Sequence, residues 1–216
     1  MDEVERTFDG WAVNGRAERM EREHSPSVTR FLRSARLPGR FSFLDVGCGN
    51  GWVVRRMASR PGCRRAVGID KSGRMVSEAR RLSAGTGARF HHTGLESFTG
   101  RGFDCVFSME SLYYARSVPA ALARIYGMLK PGGRLFCGTD FYAENRATAK
   151  WARMLGIRMH LLPEEGWLSM FEEAGFRASS RHVTDPDDRR KWRRELGTLF
   201  ITGTRPARKA KIRARS

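Results

Sequence analysis

Residues 44–51 read Leu-Asp-Val-Gly-Cys-Gly-Asn-Gly, and this stretch decides the fold. Its three glycines are Gly47, Gly49 and Gly51. The apolar run before them predicts a buried strand over Phe41–Val46, and the residues after them have apolar side chains at helical spacing. A strand, a glycine-rich turn and a helix in this order bring bare backbone close to a ligand at the carboxyl end of the first strand of an open α/β sheet. Glycine is needed there because a side chain would block the approach.

Strands and helices alternate regularly after this turn. The sequence predicts further strands over Arg65–Asp70, Ala88–His92, Phe103–Ser108, Gly133–Thr139, Phe176–Val183 and Gly197–Thr204. It predicts helices over 52–59, 73–83, 119–129, 146–156 and 163–175. Such alternation is typical of a parallel sheet that is covered by helices on both faces and joined by right-handed crossovers.

The two ends of the chain differ from this central unit. Residues 1–40 have apolar side chains at helical spacing, and Pro26 is a plausible helix start, so we expect a helical cap over the active site. The α/β domain is predicted over residues 41–204. Residues 205–216 are basic and poor in large apolar side chains, which favours a disordered tail.

Charge and composition restrict the possible partners. The formal net charge of +17 raises the odds of a polyanionic partner such as RNA, with the basic tail as one contact, although the arginines are dispersed along the chain. No apolar run is long enough to span a bilayer, and the acidic N-terminus shows no secretory signal, so we expect a cytoplasmic protein. The cysteines are scattered and His91-His92 lacks a third ligand nearby, so no metal site is predicted.

An acidic residue follows the second predicted strand. Asp70 ends this strand, beside the glycine turn of the first one, and its carboxylate can accept hydrogen bonds from both hydroxyls of a ribose. This arrangement fits any ribose-bearing cofactor. Trp52 stands where a dinucleotide fingerprint has its third glycine, which disfavours a dehydrogenase.

Four blocks in this order resemble the class I S-adenosylmethionine-dependent methyltransferases, and in particular the subgroup called type 11. They are Leu44–Gly51, Asp70, Phe103–Ser108 and Leu129–Leu135, and the resemblance covers about residues 40–140. It implies a Rossmann-like, doubly wound and mostly parallel seven-stranded sheet with an antiparallel last strand and helices on both faces. It also implies S-adenosyl-L-methionine as cofactor and S-adenosyl-L-homocysteine as product.

The resemblance assigns roles to individual cofactor residues. Backbone of the three glycines would line the methionine part of the cofactor, Asp45 would hold its amino group, and Asp70 would bind the ribose. The remaining positions would lie near the adenine or the methionine end, and they are Lys71, Met75, Glu96 and Ser108. Many relatives carry Gly-Asp after the third strand where this chain has Thr93-Gly94, so either Glu96 replaces that acid or backbone and stacking hold the adenine.

Methyl transfer needs few catalytic side chains, because the sulfonium already makes the methyl group electrophilic and the protein mainly aligns the two reactants. A base helps where the acceptor must lose a proton. Glu110 is the candidate base because it follows the fourth strand, and Tyr113 and Tyr114 lie where they could pack on the acceptor. His160, Trp11, Asn14 and Trp151 are weaker candidates for the acceptor pocket.

Two kinds of acceptor follow from these observations. The fourth strand leads into Ser108-Met109-Glu110, without the Asn/Asp-Pro-Pro-aromatic block of enzymes that methylate exocyclic base amines or glutamine amides. A small-molecule acceptor is therefore the first expectation. The alternative is RNA, or another macromolecule recruited by the basic surface and tail. A non-catalytic cofactor-binding protein is a third interpretation, which the intact glycines and Asp70 disfavour.

Overall fold

The computed structural model describes residues 3–207, and it contains one seven-stranded sheet with the order β3-β2-β1-β4-β5-β7-β6. The strands are β1 (Phe41–Val46), β2 (Cys63–Asp70), β3 (Arg89–His92), β4 (Phe103–Met109), β5 (Leu129–Thr139), β6 (Arg177–Val183) and β7 (Thr198–Thr204). The last strand, β7, is antiparallel to both of its neighbours, β5 and β6, whereas the other neighbouring strands pair in parallel. The predicted Rossmann-like fold class is confirmed.

Helices cover both faces of the sheet, as the alternating pattern predicts. Within residues 3–207 they are α1 (Glu3–Val13), α2 (Arg16–Ser34), α3 (Trp52–Ala58), α4 (Gly73–Leu82), α5 (Val118–Met128), α6 (Trp151–Leu155), α7 (Glu164–Glu173) and α8 (Lys191–Glu195). A short 3₁₀ helix, Leu112–Tyr114, follows β4. None of these helices combines the length and the apolar character that a membrane span requires.

Strand β1 is buried along its whole length, because its side chains alternate between two cores. Phe41 and Phe43 pack with the apolar side of α2 and with α3 on one face of the sheet. Leu44 and Val46 pack on the other face with the apolar side of α5. Strand β1 therefore holds the glycine turn rigidly, since both faces of the preceding strand are packed.

Three local features differ from the sequence prediction. Pro26 does not start a helix but lies inside α2, where it lacks the amide that would continue the hydrogen-bond ladder. Helix α6 covers only Trp151–Leu155, because Asn145 and Thr148 turn back and donate side-chain hydrogen bonds to the carbonyl of Asp140. The charged stretch before β7 contains the unpredicted helix α8.

The ends of the described chain are fixed to the α/β unit. In α1, the Asp9 carboxylate accepts a 2.5 Å hydrogen bond from the Ser72 hydroxyl at the start of α4. In α2, the Phe31 ring stacks on Phe200 of β7 with 4.1 Å between ring centroids. Arg205 donates to the carbonyls of Tyr126 and Leu129, so the predicted tail begins with a bound residue. The rest of that tail, residues 208–216, lies outside the described residues.

Candidate active site

A cavity lies at the carboxyl ends of β1, β2 and β4, between the sheet and the helices α1 and α2. The sheet side provides Asp45, the turn residues 47–50, Asp70, Lys71, Met75, Thr93 to Glu96, and Met109 to Leu112. The helical side provides Val4, Glu5 and Phe8 from α1, with Ala17, Met20 and His24 from α2. The carboxyl edge of an open α/β sheet is the place where ligands of this fold bind.

The glycine turn presents bare backbone to this cavity. Gly49 has φ +52°, and a Cβ atom added there would meet nothing within 4 Å, which is consistent with a position on the open cavity wall. Gly47 has φ +74°, and an added Cβ would lie 2.1 Å from the Ser111 hydroxyl. Gly51 does not line the cavity, and an added Cβ would overlap the Phe90 ring at 2.4 Å. Gly49 is thus the position at which a side chain would occupy ligand space.

Two aspartates lie on either side of this turn. Asp70 accepts a 2.9 Å hydrogen bond from the Gly49 amide and a 2.8 Å bond from the Ser72 amide. Burial raises the pKa of Asp70. Asp45 is only 3% exposed and lines the cavity, and no described residue donates a hydrogen bond to its carboxylate. Burial, followed by the nearby charge of Asp70, raises the pKa of Asp45 well above its usual range.

The part of the cavity next to the carboxyl end of β3 is lined by the residues for which the sequence predicts contacts with adenine. The Lys71 ammonium lies 3.5 Å from the Glu96 carboxylate, and both residues line the cavity. Met75 also lines it but is 2% exposed, since it packs against Trp11 and Ala17. Their predicted contacts with adenine remain predictions.

Ser108 is the second cofactor candidate, after Gly51, that does not line the cavity. Its side chain is fully buried, and the hydroxyl donates a 3.0 Å hydrogen bond to the carbonyl of Val46. Because Ser108 does not line the cavity, it has no surface on which a ligand in the cavity could bind directly. It connects β4 to the last residue of β1 and thereby supports the glycine turn.

Glu110 lies at the inner end of the same cavity and is 5% exposed. Its backbone has φ +53°, the only positive φ of a non-glycine residue within residues 3–207. Such a conformation costs of order 1–3 kcal/mol and is concentrated at functional sites. Burial, followed by the charge of Asp140, raises the pKa of Glu110 to about 7.

The two tyrosines after Glu110 differ in position. Tyr114 lines the cavity, and its ring lies 5.3 Å from that of Phe8 in α1, edge to face. Tyr113 is buried behind the cavity wall, where its hydroxyl donates a 2.8 Å hydrogen bond to the Glu110 carboxylate. The structure therefore places Tyr113 where it can orient Glu110, and not where it could contact the acceptor, because the side chain points into the core.

Sequence reasoning missed three residues around Glu110. Asp140 follows β5, and its backbone amide donates to Glu110. Its carboxylate accepts a 2.7 Å hydrogen bond from Arg193 of α8, and His24 of α2 lies 3.3 Å away. Asp140 could have been found from the sequence, because it directly follows the predicted strand that ends at Thr139, and Asp70 likewise stands at the carboxyl end of a strand. His24 and Arg193 could not have been found, because only the tertiary fold brings them here.

The weaker acceptor candidates do not line the cavity. The His160 ring donates a hydrogen bond from Nε2 to the carbonyl of Ala115 instead, at 3.0 Å. The Trp11 ring is covered by the Arg16 guanidinium, 4.0 Å from its centroid. These side chains contribute to packing around the site.

His24, Glu110 and Asp140 bring one possible ligand atom each within 4.8 Å of one another. This spacing alone would suit a metal ion. However, Arg193 already supplies a cation to Asp140, and both Glu110 oxygens accept hydrogen bonds from protein groups. We therefore assign the cluster no metal.

Comparisons with known proteins agree with this geometry. Residues 16–180 match a family described as "Methyltransferase domain". Two curated relatives are tRNA U34 carboxymethyltransferases, 32% identical over 68% of this chain in Idiomarina loihiensis and 34% identical over 72% in Klebsiella pneumoniae strain 342. The chain spans about half the length of these relatives, 50% and 49%.

Solved structures show the same fold. A chain from the complex between the Haloferax volcanii Trm112 methyltransferase activator and a methyltransferase has a TM-score of 0.87 and 26% identity, with 92% of this chain and 97% of that chain covered. A phosphoethanolamine N-methyltransferase from Haemonchus contortus has a TM-score of 0.66 and 17% identity, with coverage of 84% and 52%. The chain therefore belongs to the methyltransferase-domain family, and its fold is that of the class I S-adenosylmethionine-dependent methyltransferases.

Gly49→Val should abolish binding of S-adenosyl-L-methionine, because the added side chain would fill the open cavity wall. Gly85→Val is the matched control, since Gly85 also has a positive φ (+79°) and open space around it but lies outside the cavity. Both variants should lose stability through backbone strain, and calorimetry should show lost cofactor binding for Gly49→Val alone. Equal cofactor affinity in the two variants would place the ligand elsewhere.

Asp70→Ala should weaken cofactor binding by about 1.5–3 kcal/mol, the scale of a hydrogen bond to a charged group. Asp187→Ala, at an exposed position outside the cavity, is the control. Isothermal calorimetry measures both affinities. A change of less than a few tenths of a kcal/mol in Asp70→Ala would show that the ribose is bound by other residues.

Proposed function

We propose that this domain binds S-adenosyl-L-methionine in the cavity and modifies an RNA, with a tRNA base as the acceptor. The observation that carries the RNA half of the proposal is the similarity to tRNA U34 carboxymethyltransferases over more than two thirds of the chain. It favours the macromolecular alternative over the small-molecule acceptor that the sequence first suggested, because the phosphoethanolamine N-methyltransferase is only 17% identical and shares the fold alone. A cytoplasmic location is part of the same proposal.

The cavity fits the cofactor in three respects. Gly49 leaves open backbone at the turn. The Asp45 carboxylate is buried without a donor from the described residues, and it suits an ammonium group. Each Asp70 oxygen accepts one backbone amide and retains capacity for a ribose hydroxyl. When bound, the cofactor would supply a methyl group that its sulfonium makes electrophilic, with S-adenosyl-L-homocysteine as product.

The chain's own contribution to the reaction is alignment and exclusion of water. Helices α1 and α2 cover the cavity opposite the sheet, and Phe8, Met20 and Tyr114 provide apolar surface there. A nucleophile held in line with the methyl group gains a large part of the rate by proximity and orientation. Glu110 lies at the same wall and can accept a proton from the acceptor.

The charge distribution suits a cationic cofactor and an anionic substrate at the same time. The cavity wall contains the carboxylates of Asp45, Asp70 and Glu110, whereas the whole chain has a formal net charge of +17. Acidic groups inside favour a sulfonium. The basic surface attracts RNA phosphates and accelerates association at low salt.

Incubation with methyl-labelled cofactor and total tRNA should transfer the label to a defined tRNA nucleotide, as nuclease digestion and mass spectrometry would show. A parallel reaction with a tRNA-free metabolite extract is the control. Label that appears in a metabolite and in no RNA would overturn the RNA acceptor and restore the small-molecule hypothesis.

The RNA-binding constant should fall as the salt concentration rises. The slope of its logarithm against the logarithm of the salt concentration should become less steep when residues 208–216 are deleted, because each lost phosphate contact reduces the slope by about 0.7–0.9.

A protein partner is a second proposal, supported by the solved complex with the Trm112 methyltransferase activator. We infer that a small activator protein of that kind binds this domain and raises its activity. Co-expression with an archaeal Trm112 should yield a complex in size-exclusion chromatography with a higher transfer rate than the isolated domain. Separate elution, with the same rate, would contradict this proposal and leave the cofactor assignment unchanged.

A further inference from the structure

The strongest unexplained feature is the buried polar cluster at the inner wall of the cavity. It joins five residues from four separate parts of the chain, namely His24, Glu110 with Tyr113, Asp140 and Arg193. Burying several charged groups is costly unless each one is paired. A cluster of this kind that also lines the ligand cavity is a candidate for chemistry.

Asp140 is the fixed anion of the cluster. Its carboxylate accepts 2.7 Å hydrogen bonds from Arg193 and from the Thr198 hydroxyl, and it lies 3.3 Å from the His24 ring. Burial alone would raise the pKa of Asp140, but the contacts with His24 and Arg193 outweigh burial and lower it. Asp140 therefore stays ionised at neutral pH, and it does not line the cavity.

Glu110 is the member that can change its protonation state near neutral pH. One carboxylate oxygen accepts from the Asp140 amide and the other from the Tyr113 hydroxyl, which fixes the plane of the carboxylate. Two neighbouring carboxyl groups whose environments push their pKa values apart are typical of an acid–base site. Here Asp140 is the ionised partner and Glu110 the titrating one.

His24 brings the N-terminal helix α2 into the same site. It lines the cavity with Glu110, and one of its ring nitrogens lies within 4.8 Å of a Glu110 oxygen. The Asp140 contact fixes the ring, as a buried carboxylate orients a histidine in other catalytic centres. The position suits a group that faces the acceptor beside the glutamate.

We propose that Glu110 and His24 form the acid–base pair of this enzyme, with Glu110 as the proton acceptor and His24 as the group that holds the acceptor beside it. Asp140 and Tyr113 position this pair, and the acceptor atom is the nitrogen of a ring N–H or the oxygen of a hydroxyl that loses its proton on methylation. This inference rests on the proposed function, since it specifies the chemistry of the acceptor. In the step, the acceptor nitrogen or oxygen forms a bond to the methyl carbon. The carbon–sulfur bond breaks with its electron pair on sulfur, and the acceptor's proton passes to Glu110. Glu110 then releases the proton towards the solvent in the cavity that it lines.

The sign of the pH dependence follows from the groups around Glu110. Burial and the Asp140 charge raise its pKa to about 7, while His24, the Asp140 amide and the Tyr113 hydroxyl act in the opposite direction. Below this pH the carboxyl group is protonated and cannot accept a proton. The transfer rate should therefore rise as the pH increases through about 7.

Tyr113→Phe tests the positioning without removing a group that lines the cavity. The variant loses a hydrogen bond that favours the ionised carboxylate, so the midpoint of the pH profile should move upward. Infrared difference spectra of the whole protein, with Glu110→Gln as reference, give the same Glu110 midpoint without any turnover. A midpoint that stays in place in both measurements would overturn the role of Tyr113, and absence of a titrating Glu110 band near neutral pH would overturn the pair.

Glu110→Gln should lower the single-turnover rate of label transfer to tRNA by about 10²–10⁴-fold, the usual contribution of a general base. His24→Asn should lower it by at least about tenfold, the scale of one hydrogen bond to a charged group. Both variants should still bind the cofactor, as calorimetry would show. The matched controls Glu165→Gln and His182→Asn change exposed residues outside the cavity.

The outcomes separate this inference from the proposed function. If the wild-type protein labels no RNA, the RNA proposal fails, while the infrared titration still decides whether Glu110 titrates as the pair requires. If the wild-type protein labels RNA and the Glu110→Gln and His24→Asn variants keep the control rate, the acid–base pair is wrong and the RNA proposal stands.

Discussion

The buried carboxylate of Asp140 is the interaction on which the active site depends. It ties the end of β5 to α8 through Arg193, to β7 through Thr198 and to the N-terminal helix α2 through His24. Its own backbone amide fixes Glu110 at the end of β4. A buried charge that loses one partner typically costs 3–5 kcal/mol, so each of these contacts is strongly enforced once the others are present. The helical side of the cavity is thus held against the sheet by an ionic network and not by apolar packing alone.

The two aspartates beside the glycine turn differ in how their ionised forms are stabilised. The Gly49 and Ser72 amides stabilise the ionised form of Asp70, whereas burial opposes ionisation. Asp45 has no such donor among the described residues, and burial with the nearby Asp70 charge raises its pKa strongly. A cationic ligand would relieve this repulsion and lower both pKa values. Binding of a cationic ligand at this wall of the cavity would therefore be linked to proton release.

Much of the fold and half of the site could be predicted from the sequence. The turn with Gly47 and Gly49 was predictable because a positive φ and open backbone are local requirements, and Asp70 was predictable because the carboxyl ends of parallel strands meet at one edge. The position of Pro26 inside α2 was not, since tertiary packing of a long helix outweighs one missing hydrogen bond. His24 and Arg193 were invisible for a similar reason: Arg193 lies 53 residues from Asp140 along the chain, and nothing local marks either side chain as functional.

This difference between the two halves of the site has a physical origin. A cofactor common to many enzymes is held by backbone geometry and by one or two carboxylates at fixed topological positions, so its site follows from the order of strands. The inner wall of the cavity is built where α2 and the segments after β4 and β5 meet, and each of its polar groups depends on contacts between distant segments. Glu110 illustrates the transition between the two halves. Its place after β4 is given by topology, whereas its positive φ and its raised pKa appear only in the folded chain, where burial and the Asp140 charge outweigh the Tyr113 hydrogen bond. Tertiary contacts with helix α2 therefore shape the surroundings of Glu110, whereas the fold alone does not determine function.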